Sequence, residues 1–275
     1  MKPAPFDYVR AENAEETVAA LGEFGDDARL LAGGQSLVAM LSMRLARPKV
    51  VVDIARVGEL AYIHRQGAAL EVGAAATQAD LERFPDLARL CPLLALAVPH
   101  IGHMQTRNRG TVCGSIAHAD PTSELPLCLA ALGGDVVLHS MSGRRMVPAQ
   151  DFQVGMLATA CRADEMVEAV RFPVARPEEG HAFREACIRR GDFALVAIAA
   201  IVGGDAIRFA VGGLSDRPEA RVWPRLSGAA LDDTLNDLAW ELGGMSDQHA
   251  SARHRRDLLR RLGRQAVEEA AACGG

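Results

Sequence analysis

The sequence predicts an α+β fold organised in two parts, and three features carry that reading. Strand-length apolar runs alternate with amphipathic segments near the N-terminus. Two longer apolar runs, "ALVAIAAIVGG" and "AIRFAVGGL", meet at a Gly-Gly-Asp turn around residues 203 to 205, the mark of an antiparallel hairpin. Leucines then recur at helical spacing toward the C-terminus. At 275 residues, 49% hydrophobic and 24% charged, the chain has the size and composition of two globular units.

In chain order, "AEETVAALGEFG" (14–25) sets Val18, Leu21 and Phe24 on one helical face and ends at glycine. "ARLLAG" (28–33) is a short strand running into glycines. "QSLVAMLSMRL" (35–45) reads as a helix with Leu37, Met40, Leu41 and Leu45 on its apolar face. "KVVVDI" (49–54) is a buried strand by its β-branched run. Strand, glycine turn, helix, strand places "GGQS" at a helix N-terminus. "GAALEVGAAAT" (67–77) is a further strand, and Thr77 to Asp80 form a capping box for "QADLERF". "PLLALAVPHIG" (92–102) is a helix broken near Pro99, and a polar glycine loop follows at 107–115. "ELPLCLAALGGDVVLHS" (124–140) gives a helical segment, a Gly-Gly turn and a strand, and "EMVEAVRFP" (165–173) is another strand. "ARPEEGH" (175–181) has the charge, proline and glycine of a linker. The predicted units are therefore residues 1–175, subdivided near 55, and residues 176–275. After the hairpin, helices are expected near 231–242 and from about 247 to 272, the latter through Leu258, Leu259, Leu262, Ala266 and Val267.

Composition removes several functions. A net charge of −5 and a pI of about 5.9 give no footprint for nucleic acid. The arginine run "RHRRDLLRRLGR" (253–264) reads as a solvated helix face, with a docking face as the sharper alternative. No apolar stretch reaches the roughly 20 residues of a membrane span, and no secretory leader is visible, so a cytoplasmic protein is expected. Cys91, Cys113, Cys128, Cys161, Cys187 and Cys273 form no C-x-x-C pair and read mostly as buried, reduced thiols. The cluster "HADPTSE" (118–124) has no metal-ligand spacing.

Two glycine-bearing stretches carry the functional signal. In "LLAGGQSL" (30–37), Gly33 and Gly34 allow positive φ and close approach of a ligand to the backbone. Gln35 and Ser36 add side-chain donors. In "RNRGTVCGSIAHADPTSEL" (107–125), Thr111 and Ser115 supply hydroxyls around Gly114. Main-chain amides at such turns hold phosphate without Lys or Arg. Asp120 and Glu124, close behind, suit sugar hydroxyls. Neither stretch is G-x-G-x-x-G or a P-loop. The reading is one dinucleotide gripped at its pyrophosphate by both turns.

The combination of "LLAGGQSLVAMLSMRLARP", "IGHMQTRNRGTVCGSIAHADPTSELP" and "RRGDFALVAIAA" resembles the FAD-binding medium subunit of the molybdenum hydroxylases, the family of aerobic carbon monoxide dehydrogenase and xanthine dehydrogenase. The resemblance extends to "VGGLSDRP" (211–218) and "DQHASARHRRDLL" (247–259). It implies an N-terminal FAD domain of vanillyl-alcohol-oxidase (PCMH) type and a C-terminal antiparallel sheet with a helical bundle. It implies that the FAD pyrophosphate lies between Ala32–Ser36 and Thr111–Ser115, bordered by Leu31 and His118. Glu124, with Asp120 in the same loop, would meet FAD hydroxyls. Leu37, Ile101 and Phe193, the last preceded by Asp192, would pack the flavin ring. Family members usually carry Gly-Gly in the second turn. Cys113 here replaces the first glycine and is expected in a β conformation.

The resemblance implies an oxidoreductase component with no catalytic side chain and no metal of its own. Electrons would pass from a [2Fe–2S] cluster of a small partner subunit through FAD to an external acceptor. A large molybdopterin subunit would complete a dimer of heterotrimers. Two alternatives remain open at the level of sequence: a self-contained flavin oxidoreductase of the same fold, and an interaction subunit that has lost FAD.

Overall fold

The computed structural model describes residues 2–274. A parallel sheet opens the chain, with β1 (Asp7–Arg10), β2 (Ala28–Leu31) and β3 (Val50–Asp53) in the order β1-β3-β2. α1 (Ala14–Phe24) connects β1 to β2. Its start is fixed by Asn13, whose side chain accepts the Glu16 amide, and Gly25 at φ 50° ends it. α2 (Leu37–Ser42) connects β2 to β3 and is shorter than its apolar pattern predicts. The chain turns at Arg44, φ 58°, so Leu45 leaves the helical face and becomes exposed.

A five-stranded antiparallel sheet follows. β4 (Ile63–Gln66), β5 (Ala69–Gly73), β10 (Met166–Pro173), β6 (Asp135–Ser140) and β7 (Gly143–Pro148) lie in the order β4-β5-β10-β6-β7. Six helices fill the connection from β5 to β6: α3 (Gln78–Glu82), α4 (Leu87–Leu90), α5 (Pro92–Ala97), α6 (Met104–Arg107), α7 (Val112–His118) and α8 (Glu124–Leu132). The Thr77/Asp80 capping box makes both of its reciprocal hydrogen bonds at α3. α5 gives way to a 3-10 turn, Val98–His100, at Pro99. α9 (Ala149–Phe152) and the small pair β8 (Gln153–Gly155) and β9 (Ala158–Thr159) lie between β7 and β10.

The third sheet runs β11 (Gly180–Ala186), β12 (Val196–Gly203), β13 (Ala206–Gly212) and β14 (Glu219–Pro224), all antiparallel neighbours. β12 and β13 are the predicted hairpin. β11 begins inside the stretch that reads as linker, because Gly180 and His181 already pair with Val202 and Ile201. α10 (Gly228–Leu242) and α11 (Ala252–Cys273) follow, and α11 packs on β11 and β12.

Two apolar cores result, and β12 belongs to both. Ala197, Ala199 and Ile201 join the first core with Phe183, against residues of α5 and α8. Val196, Ile198, Ala200 and Val202 join the second, against Leu235 of α10 and Leu259 and Ala266 of α11. This is the period-2 alternation of a strand covered on both faces. Among the described residues, no helix is long and apolar enough to cross a membrane, and no group of His, Cys, Asp or Glu could hold a metal ion.

One arginine departs from the solvated-face reading of 253–264. Arg255 is buried and donates to the Leu195 and Gly213 carbonyls and to Asp247 at 2.5 Å. The carbonyls where β12 begins and β13 ends need a donor that the sheet does not supply. The neighbouring Arg256 lies over the Trp240 ring at 4.3 Å from its centroid.

Candidate functional site

β2 ends at Leu31, and the chain passes through Ala32 to Ser36 before α2 begins at Leu37. Gly34 sits at φ 73°, a left-handed conformation that favours glycine. Gly33 packs directly on the second turn. A methyl built on it would overlap the Arg109 carbonyl oxygen and stand 2.7 Å from the Gly110 Cα. Among the described residues, the amides of Gly33, Gly34, Gln35 and Ser36 donate to no carbonyl or side chain of the chain. The Gln35 side chain folds back and donates to the Gly33 carbonyl, so its amide nitrogen braces the loop. The Ser36 hydroxyl makes no cap bond, and among the described residues it has no hydrogen-bond partner.

The second stretch is not the open loop its polarity suggests. Residues 112–118 form α7, and Thr111 is its N-cap: the Thr111 hydroxyl accepts the Gly114 amide at 3.0 Å. Two backbone bonds, Gln78 amide to Gly110 carbonyl and Val112 amide to Ala76 carbonyl, clamp Thr111 beside Thr77. Cys113 is helical, not β, because it lies in the first turn of α7. Its thiol points away from the turn and donates to the Val72 carbonyl of β5 at 3.3 Å. Burial keeps that thiol protonated far above its ordinary range. Among the described residues, the amides of Thr111 and Cys113 make no backbone hydrogen bond, and Ser115 remains half-buried.

Behind α7 the chain turns through Ala119, φ 55°, whose carbonyl accepts from the buried Gln153 side chain at 2.7 Å and from the Leu157 amide. Asp120 uses one oxygen to accept from the Thr122 amide and hydroxyl, which leaves its second oxygen available. Glu124 opens α8 in a buried position. Burial pushes its carboxyl up to about 8, with the charges of Glu185 and Asp120 adding to the effect and its own amide opposing it. His118 ends α7 half-buried, and among the described residues no hydrogen bond or ion pair of its side chain joins it to the other candidates.

A third segment joins this assembly from the far side. The turn from Cys187 to Phe193 seats Gly191, φ 86°, against His103, where a methyl on Gly191 would come within 2.6 Å of the ring. Phe193 is 70% exposed, so it is no part of a core, and the Asp192 amide closes the turn on the Arg189 carbonyl. Ile101 lies just before Gly102 and His103 and is buried. Arg107 ties this region to α6: it donates to the Ile101 carbonyl and forms a two-pronged pair with Glu82. The structure therefore brings Gly33 onto Arg109 and Gly110, and Gly102 and His103 onto Gly191 of the turn that bears Phe193. Sequence reading missed Arg107, His103 and Glu185. The sign that could have exposed Glu185 is its place two residues after the buried Phe183, on the same face of β11.

Residues 4–175 match the family model described as the FAD binding domain in molybdopterin dehydrogenase. The chain belongs to that family. The chain is similar to the nicotine 6-hydroxylase medium subunit of Paenarthrobacter nicotinovorans, 37% identical over 90% of this chain and 91% of that one. The carbon monoxide dehydrogenase medium chain of Afipia carboxidovorans is 33% identical over 99% of both. A chain of the solved carbon monoxide dehydrogenase from Hydrogenophaga pseudoflava superposes with a TM-score of 0.94 at 30% identity, covering 99% of each. This molybdopterin-dehydrogenase flavoprotein thus binds FAD, and its own geometry fits the cofactor. Unused amides from two turns in mutual contact suit a diphosphate, and space that a Cβ would fill admits the close approach.

Proposed function

We propose that this chain is the FAD-binding electron-transfer subunit of a molybdenum-containing hydroxylase complex. It takes electrons from a partner's [2Fe–2S] cluster and delivers them to an external acceptor. The observation that carries the reading is the closure of the Gly33 turn on Gly110, which makes one diphosphate cradle from two distant segments.

FAD supplies the exchange of single electrons for pairs; the protein holds, orients and shields it. The amides of Gly33 to Ser36, Thr111 and Cys113 hold the diphosphate. The Ser36 and Ser115 hydroxyls assist, and the free oxygen of Asp120 and the Glu124 carboxyl accept from FAD hydroxyls. Leu31, Ala32, Leu37 and Gly114 line the approach, with His118 at its border. Ile101 and Phe193 pack the ring, and Asp192 fixes the turn that presents Phe193. No side chain acts as a general base. Residues 1–175 form the FAD-binding unit, and residues 176–275 add the ring-facing turn.

The partners are a small [2Fe–2S] subunit and a large molybdopterin subunit, arranged as a dimer of heterotrimers in the cytoplasm. The names of the relatives as medium subunits or chains support this assembly. Exposed Val38, Met43 and Leu45 around α2 support a covered surface beside the cradle. The test is purification of the native complex, with measurement of flavin absorbance per chain and of co-purifying subunits. One flavin per chain with both partners is expected; a chain isolated without flavin bands would overturn the reading.

A further inference from the structure

Two stretches outside the cradle, "VGGLSDRP" (211–218) and "DQHASARHRRDLL" (247–259), meet at one side chain. Arg255, near the start of α11, is 4% exposed. Its guanidinium donates to the Leu195 carbonyl, to the Gly213 carbonyl at 3.0 Å and to one oxygen of Asp247. The other Asp247 oxygen accepts the amides of His249 and Ala250, so the counter-charge is itself held in place.

Both carbonyls lead to the flavin site. Leu195 stands two residues after Phe193, and its amide is pinned to the Ala186 carbonyl at the end of β11. The Gly213 amide donates to the Pro121 carbonyl at 3.1 Å. Pro121 lies between Asp120 and Thr122, and the Thr122 amide and hydroxyl hold the Asp120 carboxylate. The packing at this junction admits no side chain. A methyl on Gly213, φ 88°, would overlap the Leu195 carbonyl oxygen, and one on Gly212 would stand 2.9 Å from the Pro121 carbonyl oxygen. Main chain therefore runs in contact from the turn after β11, through Gly212 and Gly213, to the Asp120 turn.

The junction suits an arginine. A guanidinium is a rigid planar fork with five donors, and here it reaches two carbonyls and a carboxylate together. A lysine ammonium is a compact point donor on a flexible stem and does not reproduce that fork. Bonds from a charged donor are stronger than neutral ones, and Asp247 balances the buried charge.

We propose that Arg255 is a positioning residue for the flavin: it fixes the turn that presents Phe193 and the turn that presents Asp120 relative to each other. The inference rests on the flavin-binding reading above, which assigns the ring to Phe193 and a flavin hydroxyl to Asp120. Arg255 acts on the cofactor through these two turns, so the C-terminal helix helps to shape a site built mostly from the N-terminal unit.

The experiment titrates FAD into the stripped full-length protein. Arg255→Lys should weaken FAD binding by about fivefold. Double-mutant cycles separate positioning from a general loss of stability. The effect of R255K should be non-additive with those of Phe193→Leu and Asp120→Asn, and additive with that of Ser36→Ala in the first turn of the cradle. The visible absorption band of the bound flavin should shift in R255K, because the packing of its ring changes. In the flavin-free protein, hydrogen exchange at the Gly213 amide should quicken in the same variant. Val267→Ala, in the second core further along α11, should lower the melting temperature but leave FAD affinity and the absorption band unchanged. If R255K does not fold, Asp247→Asn carries the test. That side chain is 44% exposed, the substitution keeps its shape and removes the counter-charge, and it should reproduce both the weaker binding and the non-additivity. Unchanged FAD affinity, or a loss additive with all three partner substitutions, would overturn the inference. A wild type that binds no FAD, or whose affinity is untouched by Phe193→Leu and Asp120→Asn alone, would instead sink the reading on which it rests.

Discussion

Gly33 and Gly110 touch through bare backbone, and the proposed diphosphate cradle is built on this contact. Gly33→Ala places a methyl against the Arg109 carbonyl and the Gly110 Cα, neither of which is a flexible side-chain tip. The two turns must separate, at a cost of about 1–3 kcal/mol. Flavin content of the purified variant should fall below detection. Gly58→Ala, where the added methyl meets nothing within 4 Å, should leave flavin content and melting temperature unchanged.

Thr111 places the second set of amides by capping α7. Thr111→Val should destabilise the protein by about 1 kcal/mol and weaken flavin binding, because the first turn of α7 loses its anchor at the Gly114 amide. Thr111→Ser should restore both. Urea midpoints and flavin titration of the stripped protein are the measurements.

Cys113 lies in the first turn of α7, yet its thiol turns toward Val72. Cys113→Ala should therefore leave flavin affinity within about twofold of wild type and cost about 1 kcal/mol for the lost hydrogen bond and volume. A thiol reagent should label Cys113 only on unfolding, since it is buried and protonated.

Arg255→Met removes the donor shared by the Leu195 and Gly213 carbonyls. Two buried acceptors lose their partner, and a loss of about 2–4 kcal/mol is expected in urea unfolding. Arg253→Met, on the exposed side of α11, should change stability by less than about 0.5 kcal/mol.

The pH dependence follows from Glu124. Its carboxyl, near about 4 in the unfolded chain, lies at about 8 when folded. Folding then favours the protonated form, so its contribution is fully present below the unfolded value and is lost as pH rises through the folded one. The flavin-free protein should lose stability between about pH 4 and 8 and hold steady above that. Glu124→Gln should flatten that loss, as read from melting temperatures across the range.

Local rules carried much of this structure. The helix at 14–24, the strands at 28–31 and 50–53, the Thr77 capping box and the 203–205 hairpin follow from periodicity, caps and turn residues. β7 and β14 escaped because they are partly solvated, with polar residues at positions a core strand would make apolar. The second turn looked like loop because Thr111, Gly114 and Ser115 are poor helix interiors, although Thr111 is a good start to one. The sequence led to the expectation that both turns face one ligand, but the direct packing of Gly33 on Arg109 and Gly110 was not legible. Gly33 and Gly110 are joined only through tertiary packing, and the approach of His100 to Glu185 likewise joins two separate segments.

Strand β12 has no outward side. Its odd and even residues wall opposite cores, so neither half of the molecule owns it. A cut between residues 175 and 180 would strip the α5–α8 layer of its cover, and the fragment would be left with a wet apolar flank. The flavin half and the helical half must therefore melt in one transition, and exchange of C-terminal segments between relatives would succeed only if the inward-facing alanines Ala197 and Ala199 travelled with helices shaped to meet them.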